Sequence, residues 1–367
     1  MAKPIRLGVI GLGLMGRTHA LMVRDGRIPG LRLAAVADPN VSVFRDFPAV
    51  ARHSDGCALI RSAAVDAVLI ATPHYSHVPL ALAALRAGLH VLVEKPIAAQ
   101  TSQARRLARA ARAHPRQVCA AMFNQRTDPL HLRLRRLLKS SALGPVTRVQ
   151  WTITDWYRTA AYYRESPWRA TWAGEGGGVL VNQCAHHLDL FQWLFGQPAI
   201  VRAHCAFGRH HDIEVEDEVH AFMEFADGSH ATLVTSTGEA PGVNRLEVAA
   251  DGGLVIVEKD SLRLCRNRAP TAAFTRASRD YFARPPVRES TWTRPGPGPQ
   301  HAGILRNFAA AIQGRAPLIA PLAEGAASVE LANAILLSAW TGKSVRLPLV
   351  AARYDAALAR KIAASRR

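Results

Sequence analysis

The sequence of 367 residues predicts an α/β protein, in which an N-terminal doubly wound parallel sheet precedes a C-terminal α+β domain with an open, mostly antiparallel sheet. Three observations predict this fold. Short apolar runs alternate with helical segments between residues 5 and 121, a glycine-rich turn follows the first run, and segments with a period of two occupy much of residues 200–264. The length also exceeds what one ordinary core supports, so we expect two domains.

The first apolar run ends in a turn that predicts a nucleotide site. Ile5–Ile10 leads into Gly-x-Gly-x-x-Gly. The first glycine of this pattern makes a tight turn, the second admits a pyrophosphate against bare backbone, and the third lets strand and helix pack closely. The following helix offers its unpaired N–H groups to the phosphates. The predicted cofactor contacts in this turn are Gly11, Gly13, Leu14, Met15 and Gly16.

The second apolar run, Leu31–Ala37, is followed by an acid that predicts which dinucleotide binds. Asp38 stands about 20 residues beyond the glycines, where a carboxylate hydrogen-bonds a ribose 2′-hydroxyl. On its own, an aspartate before a proline is more often a turn residue. With the glycines in place it indicates NAD rather than NADP, because a carboxylate repels a 2′-phosphate.

Two further strands end in residues that we assign to the cofactor crevice. The apolar runs at 65–71 and 89–93 predict buried strands, and ligands of open parallel sheets bind beyond the carboxyl ends of strands. The residues that follow these runs and point to the crevice are Thr72, Pro73 and Lys95. A helix at 101–114 and a strand at 117–121 complete the domain, whereas residues 44–64 give no clear element.

From residue 123 the pattern changes to that of an α+β domain. Alternating segments separated by Asp-Gly and Pro-Gly turns predict an antiparallel meander. The predicted elements are helices at 129–139, 179–195, 301–313 and 324–341, strands at 146–154, 218–225, 230–237, 244–250, 253–257 and 345–347, and a long loop at 267–300. We therefore predict domains at 1–122 and 123–348, with a helical tail at 349–367.

The net charge of +18 raises the hypothesis of nucleic-acid binding. The arginines are spread out at helical spacing, and no aromatic residues lie between them. The main examples are Arg105, Arg106, Arg109, Arg112, Arg133, Arg135 and Arg136. Solvated helix faces explain such a pattern better, so we expect no nucleic-acid partner.

Cysteine usage and hydropathy favour a cytoplasmic protein. The five cysteines are scattered without a Cys-x-x-Cys pair, which argues against a disulfide framework and against a zinc site. No run of eighteen uncharged apolar residues occurs, and a strand begins within a few residues of Met1, so we expect neither a membrane span nor a signal peptide. His210, His211 and Glu214 are close in sequence but read as loop residues, and we predict no metal site.

Four motifs together resemble a known family. They are the glycine turn, Ala71-Thr72-Pro73 with His77, the stretch His90-Val91-Leu92-Val93-Glu94-Lys95-Pro96, and Gly176-Gly177-Gly178 leading to His186-x-x-Asp189. The combination, from residue 5 to about 348, resembles the Gfo/Idh/MocA oxidoreductases, the glucose-fructose oxidoreductase and inositol dehydrogenase family. The resemblance implies a Rossmann domain, an open-faced α/β domain, NAD(P)-dependent oxidation or reduction of a sugar or cyclitol hydroxyl, and homodimers or homotetramers packed through the open sheet. It also adds His77 and Glu94 to the expected cofactor site.

The resemblance places Lys95 and His186 at the reacting carbon. Alcohol oxidation needs a base and a group that stabilises developing charge on the oxygen. His186 suits the base, with a pKa expected near its ordinary value, and Lys95 suits the charge, with Glu94 orienting it. The sequence departs from the family at Asn182, where an aspartate is usual. We expect this asparagine to bind a substrate hydroxyl rather than share a proton with the histidine.

An aromatic and arginine cluster between residues 156 and 172 predicts the substrate pocket. Aromatic faces pack on sugar C–H groups, while arginine, tyrosine and asparagine bind hydroxyls, although an interdomain core explains the tryptophans equally well. The predicted substrate contacts are Asn124, Tyr157, Arg158, Trp168, Asn182 and Asp189. Asp189 could alternatively face His186 or cap a neighbouring segment.

A non-catalytic protein that senses NAD on the same fold is the alternative function. Such a regulator would keep the glycine turn and Asp38 but would need neither Lys95 nor His186. Both residues are present. The sequence therefore favours an enzyme that transfers a hydride between a nicotinamide cofactor and a sugar, glycoside or cyclitol.

Overall fold

The computed structural model describes residues 3–365. Its first sheet has six parallel strands in the order β3-β2-β1-β4-β5-β6. The strands are β1 Ile5–Ile10, β2 Leu31–Ala37, β3 Ala51–His53, β4 Ala67–Ile70, β5 His90–Val93 and β6 Cys119–Ala121. From β1 the chain adds β2 and β3 on one side of the sheet, and it then adds β4, β5 and β6 on the other side. Because the strand order reverses between the neighbours β1 and β4, a crevice opens at their carboxyl ends.

Helices on both faces of this sheet complete the first domain. They are α1 Leu14–Arg24, α2 Gly56–Arg61, α3 His74–Arg86 and α4 Thr101–Ala113, with a 3-10 turn at Val41–Asp46. The apolar side chains of β1, β4 and β5 are almost completely buried, as expected for parallel strands covered on both sides. The segment 44–64, which gave no clear sequence signal, forms a short strand and a short helix.

The second sheet has nine strands in the order β14-β13-β12-β11-β7-β10-β9-β8-β15. Every neighbouring pair is antiparallel except β7 and β10, which run parallel. The strands are β7 Val146–Ile153, β8 Ile200–Phe207, β9 Glu216–Glu224, β10 His230–Ser236, β11 Asn244–Ala250, β12 Gly253–Glu258, β13 Ser261–Asn267, β14 Val287–Thr293 and β15 Val345–Arg346. The predicted parallel sheet followed by a mostly antiparallel one is thus confirmed.

Seven further helices follow residue 123 in the described part of the chain, and the longest of them packs against both the second sheet and the first domain. They are α5 Pro129–Lys139, α6 Ala160–Arg164, α7 Ala185–Phe195, α8 Thr271–Ala277, α9 Gln300–Ile312, α10 Gly325–Thr341 and α11 Ala351–Ala363, with 3-10 turns at Asn124–Thr127 and Leu322–Glu324. Although α9 follows the second sheet in sequence, its Ile304, Leu305 and Phe308 lie in the core of the first domain. Late segments of the chain therefore hold the two domains together.

Two sequence predictions need correction. The expected loop at 267–300 contains α8 and β14, and β14 pairs antiparallel with β13. Most β14 side chains are exposed, so the strand carries no alternating pattern. The helix expected at 179–195 begins only at Ala185, because the N–H groups of Val179 and Leu180 bond to Glu216 of β9 instead of starting a helix.

One described helix is long and apolar enough to cross a membrane by length and composition alone. It comprises Leu322–Thr341, which is the short 3-10 turn followed by α10. Of the 18 most apolar consecutive residues in this helix, 67% are buried inside the protein. The helix packs against β8 and α7, so it is the core helix of the second domain.

Candidate functional site

The glycine turn leaves open space beside bare backbone. Gly11 has φ +89°, and a Cβ there would lie 2.6 Å from the oxygen of Ala71. A Cβ on Gly16 would lie 1.8 Å from the oxygen of Gly11, so neither position accepts a side chain. In contrast, a Cβ on Gly13 would meet nothing within 4 Å, and no side chain caps α1 at this residue. The turn therefore has the shape that brings a phosphate against the start of a helix.

Asp38 lies at the end of β2 and braces the same turn. One of its oxygens accepts a hydrogen bond from the N–H of Leu12 at 2.7 Å, and the other accepts from Asn40 at 2.8 Å. Each carboxylate oxygen has a second lone pair, so the group can also accept from a ribose hydroxyl. The side chain of Thr72, at the end of β4, adds a buried hydroxyl that has no partner in the protein.

A crevice of about 990 Å³ joins this turn to the second domain. It is lined by thirteen of the predicted site residues: Gly11, Gly13, Leu14, Met15, Asp38, Thr72, Pro73, His77, Glu94, Lys95, Arg158, Trp168 and Asn182. Gly16 supports the turn from behind. The open glycine, the carboxylate and the unpartnered hydroxyl fit a dinucleotide, whose phosphates Gly13 and Leu14 could hold and whose ribose Asp38 could bind.

His77 links the two strand ends that form the crevice floor. Its Nδ1 lies 2.8 Å from the oxygen of Pro96 and its Nε2 lies 2.7 Å from the oxygen of Thr72. Burial lowers the pKa of His77, although the two carbonyl contacts oppose this shift. The residue therefore fixes the shape of the site.

Lys95 projects from the end of β5 towards the second domain. Its ammonium donates to the backbone oxygen of Asn182 at 3.0 Å and to the side-chain oxygen of the same residue at 3.1 Å. Burial lowers the pKa of Lys95, and the carboxylates of Glu94 and Glu175 oppose this shift. Two of the three ammonium protons are thus bonded to protein, which leaves one for a ligand.

Glu94 accepts a hydrogen bond from the backbone of this lysine. One oxygen contacts Nε2 of His19 at 2.7 Å, and the other accepts from the backbone N–H of Lys95 at 3.0 Å. Burial alone would raise the pKa of Glu94, but its contacts with His19 and the charge of Lys95 outweigh burial and lower the pKa to about 2. Glu94 is therefore a carboxylate throughout the neutral range.

The structure corrects the expectation that the Asn182 amide is free for a substrate. Its oxygen faces Lys95, and its nitrogen donates to Glu175 at 2.5 Å and to the hydroxyl of Tyr162 at 3.2 Å. All three contacts are with the protein. Asn182 therefore connects two side chains that line the crevice, those of Lys95 and Tyr162, with the buried carboxylate of Glu175.

His186 stands at the start of α7, one turn after Asn182, and is not among the residues that line the crevice. Its Nδ1 is buried without a hydrogen-bond partner. Burial holds the pKa of His186 well below 6.5, and the positive charge of Lys95 lowers it further. The expectation that this histidine titrates near its ordinary value is therefore wrong.

Three predicted substrate contacts do not line the crevice. Asp189 is fully buried and binds the guanidinium of Arg126 through both oxygens, at 2.7 and 2.8 Å, so it neither faces His186 nor caps a helix. Asn124 donates to Gln300 at 2.8 Å, and Tyr157 is 49% exposed. The Arg126–Asp189 pair ties α7 to the turn that follows the first domain.

Sequence reasoning did not select three residues that complete the site. Arg169 donates to the hydroxyl of Tyr162 at 2.8 Å and lies over the rings of Tyr162 and Trp168. Both belong to the aromatic and arginine cluster, which was a usable signal. Glu175 is the third, and a single acid before three glycines gives no such signal.

Among residues 3–365, no group of three or more His, Cys, Asp or Glu side chains could hold a metal ion. The backbone N–H groups of His210 and His211 donate to Asp217. Glu214 accepts from the N–H of Trp172. These interactions show a structural role for the loop.

Comparisons with known proteins agree with this geometry. Residues 5–122 match the oxidoreductase family with an NAD-binding Rossmann fold, and residues 131–256 match the GFO/IDH/MocA C-terminal domain. The uncharacterized oxidoreductase YdgJ of Escherichia coli is 32% identical over 65% of this chain and 68% of its own length. Inositol 2-dehydrogenase 2 of Saccharopolyspora erythraea is 33% identical, but the match spans only 53% of this chain and 55% of that protein.

A solved structure shows the same fold over nearly the whole chain. The WlbA dehydrogenase from Bordetella pertussis, in complex with NADH and UDP-GlcNAcA, superimposes with a TM-score of 0.78 at 23% identity. The alignment covers 95% of this chain and 100% of that one. Together with the glycine turn, Asp38 and Lys95, these matches show that the chain belongs to the Gfo/Idh/MocA family of NAD-binding oxidoreductases.

Proposed function

We propose that the protein uses NAD to oxidise a secondary hydroxyl of a sugar, glycoside or cyclitol, or to reduce the corresponding ketone. The observation that carries this proposal is the Lys95 ammonium, which Asn182 holds at the crevice between the glycine turn and the aromatic cluster. A relative named as an inositol dehydrogenase and a structural neighbour bound to a nucleotide sugar support the same substrate class.

The residues divide the chemistry between them. NAD held by the glycine turn and Asp38 would supply the hydride acceptor for oxidation, and NADH the hydride donor for reduction. During oxidation, the neutral imidazole of His186 takes the hydroxyl proton. The free N–H of the Lys95 ammonium stabilises the negative charge that develops on the oxygen.

The substrate side of the crevice suits a polar ring. Arg158 lies over the rings of Trp156 and Tyr162, and Trp168 packs edge-on against His74. Stacked guanidinium groups keep N–H donors free for hydroxyls, while the rings offer apolar faces. We therefore propose Arg158 and Trp168 as substrate contacts, and Asn182 as a residue that acts through its neighbours.

A substrate screen tests the function. NAD reduction should be measured against inositols, pyranoses and glycosides, with small hydroxy acids as the comparison. We expect turnover with a ring substrate. NAD binding without turnover on any alcohol in the panel would instead identify a regulator that senses NAD.

Replacing Asp38 should change the cofactor preference. Asp38→Asn keeps the shape of the side chain but removes the charge and leaves one oxygen for the N–H groups of Leu12 and Asn40. We therefore expect NAD affinity to fall roughly tenfold and the preference over NADP to shrink. Isothermal titration with both cofactors measures this. As a control, Asp46→Asn removes a carboxylate that pairs with Arg17 and does not line the crevice. Tighter NADP binding by the wild type would contradict the assignment.

We also propose a homodimer or homotetramer that packs through the uncovered face of the second sheet. On β9, Val219, Ala221 and Met223 are buried towards the helices, whereas Phe222 points the other way and is 41% exposed. Burying such a face needs a partner. Light scattering of the wild type and of Phe222→Glu tests this, and a monomeric wild type would contradict it.

A cytoplasmic location agrees with the cysteines. All five are free, at Cys57, Cys119, Cys184, Cys205 and Cys265. Reduced thiols are typical of compartments that glutathione and thioredoxin keep reducing. We therefore propose that the protein is cytoplasmic.

A further inference from the structure

Glu175 is a buried acid whose carboxylate binds two donors. It is 2% exposed. One oxygen accepts from the backbone N–H of Ala170 at 2.6 Å, and the other accepts from the side-chain amide of Asn182 at 2.5 Å. Neither of these partners can accept a proton from a carboxylic acid, so the hydrogen-bond geometry suits the ionised form of Glu175.

The amide of Asn182 separates this carboxylate from the ammonium of Lys95. Lysine can only donate, so the amide oxygen faces Lys95 and the amide nitrogen faces Glu175. Carboxylate, amide and ammonium thus form one polarised chain, in which the carboxylate strengthens the amide oxygen as an acceptor. The two oxygens of Glu94, the other acid beside Lys95, contact the ring of His19 and the backbone N–H of Lys95.

We propose that Glu175 is a positioning residue for Lys95. An aspartate at position 182 would place a buried negative charge next to the lysine, and the carboxylate of Glu175 supplies that charge from one hydrogen bond further away, through Asn182. Acting through Asn182, it keeps the Lys95 ammonium charged and aimed into the crevice. The catalytic consequence rests on the proposed function, whereas the charge relation between Glu175 and Lys95 does not.

Other charged groups also act on the pKa values of Lys95 and Glu175. Burial lowers the pKa of Lys95, Glu94 and Glu175 raise it, and Arg169 and Arg158 lower it. Burial raises the pKa of Glu175, and Arg169 and Lys95 lower it. Removing the charge of Glu175 leaves two arginines that oppose the charge of Lys95, and Glu94 that supports it. Burial and the charge of Glu175 raise the pKa of the neighbouring acid Glu216 to about 8.

A charge exchange between positions 175 and 182 tests the proposal. In Glu175→Gln the negative charge is lost. Whichever way the new amide is turned, its NH2 group faces an N–H donor, that of Ala170 or that of Asn182. In the double variant Glu175→Gln with Asn182→Asp, the new glutamine can accept from Ala170 and donate to the new carboxylate, which contacts Lys95 directly. The hydrogen bonds from Ala170 to Lys95 are then restored with the charge moved by one residue, and the hydroxyl of Tyr162, which accepts from Asn182 in the wild type, can donate to the new carboxylate.

The first measurement needs neither substrate nor cofactor. The chain has only six lysines, so the rate at which acetic anhydride modifies Lys95 can be followed as a function of pH by peptide mass spectrometry. We expect Glu175→Gln to lower the midpoint of this profile by roughly one pH unit or more. The double variant should return the midpoint to the wild-type value or above it.

A matched control separates charge from loop structure. Glu216 is buried, and its carboxylate supports the same glycine loop by accepting from Gly178 and Leu180. Glu216→Gln should leave the Lys95 midpoint in place. An unchanged midpoint in Glu175→Gln, or an equal shift in Glu216→Gln, would overturn the proposal. If Glu175→Gln does not fold, a folded double variant whose midpoint falls below the wild-type value would overturn it.

Turnover on the best sugar adds the catalytic part. We expect Glu175→Gln to lower kcat more than tenfold with little change in KM, and the double variant to recover most of the loss. If no sugar is turned over by any variant while the midpoints shift as expected, the proposed function fails and the role of Glu175 in charging Lys95 stands. Normal turnover in Glu175→Gln would overturn the positioning role.

Discussion

Replacing Lys95 with alanine is expected to lower turnover about hundredfold or more while leaving NAD affinity nearly unchanged. The reason is the placement of its ammonium, which two acceptors on Asn182 hold at the crevice with one N–H free. A preorganised charge of this kind stabilises the oxygen only as negative charge develops, so its loss affects kcat more than binding. Steady-state kinetics on the best sugar and isothermal titration with NAD measure the two effects.

Two further variants make the Lys95 result specific. Lys95→Met keeps the apolar stem, so a loss equal to that of the alanine variant would assign the effect to the charge. Lys139→Ala removes an exposed lysine at the end of α5 and should behave as the wild type. A folded Lys95→Ala protein with near-normal kcat would show that the lysine is not part of the chemistry.

The parts of the site that the sequence predicted are those that local chemistry determines. The φ of +89° at Gly11 and the tight approach at Gly16 require glycine, so the pattern shows the turn directly. In the same way, Asp128 caps α5 by accepting from Leu130, and Pro129 fits the first helical turn. Both the turn and this helix therefore lie where the sequence placed them.

The parts that the sequence did not predict depend on contacts between distant segments. Lys95 and Asn182 are 87 residues apart, and Arg126 and Asp189 are 63 apart. No spacing or periodicity reports such pairs. The helical spacing puts Asp189 on the same side of the helix as His186, yet in the structure both of its oxygens bond to the buried guanidinium of Arg126.

The pKa of His186 illustrates the same limit. A histidine near the start of a helix gives no sign in the sequence of how deeply it is buried. In the structure, burial and the charge of Lys95 both lower its pKa. Its neighbour His187, which packs against Trp151 and Trp156, has a pKa lowered to about 3, chiefly by burial.

This burial moves the expected pH dependence of alcohol oxidation. A base works only while its imidazole is neutral, and a lowered pKa keeps the imidazole neutral through pH 6.5 and further into acid. We therefore expect kcat/KM to stay level as the pH falls from 7 through 6.5, and to decline only at lower pH. A wild-type rate that halves near pH 6.5 would contradict the buried environment of His186.

Removing the base tests the assignment itself. His186→Ala should lower turnover by roughly a hundredfold or more and should abolish the acid limb of the profile, because no imidazole then has to be neutral. His187→Gln removes the adjacent buried histidine from the same helix and should leave the acid limb where the wild type has it. If His186→Ala instead keeps the wild-type profile, the base is not this histidine, and Lys95, whose pKa burial already lowers, takes over that role.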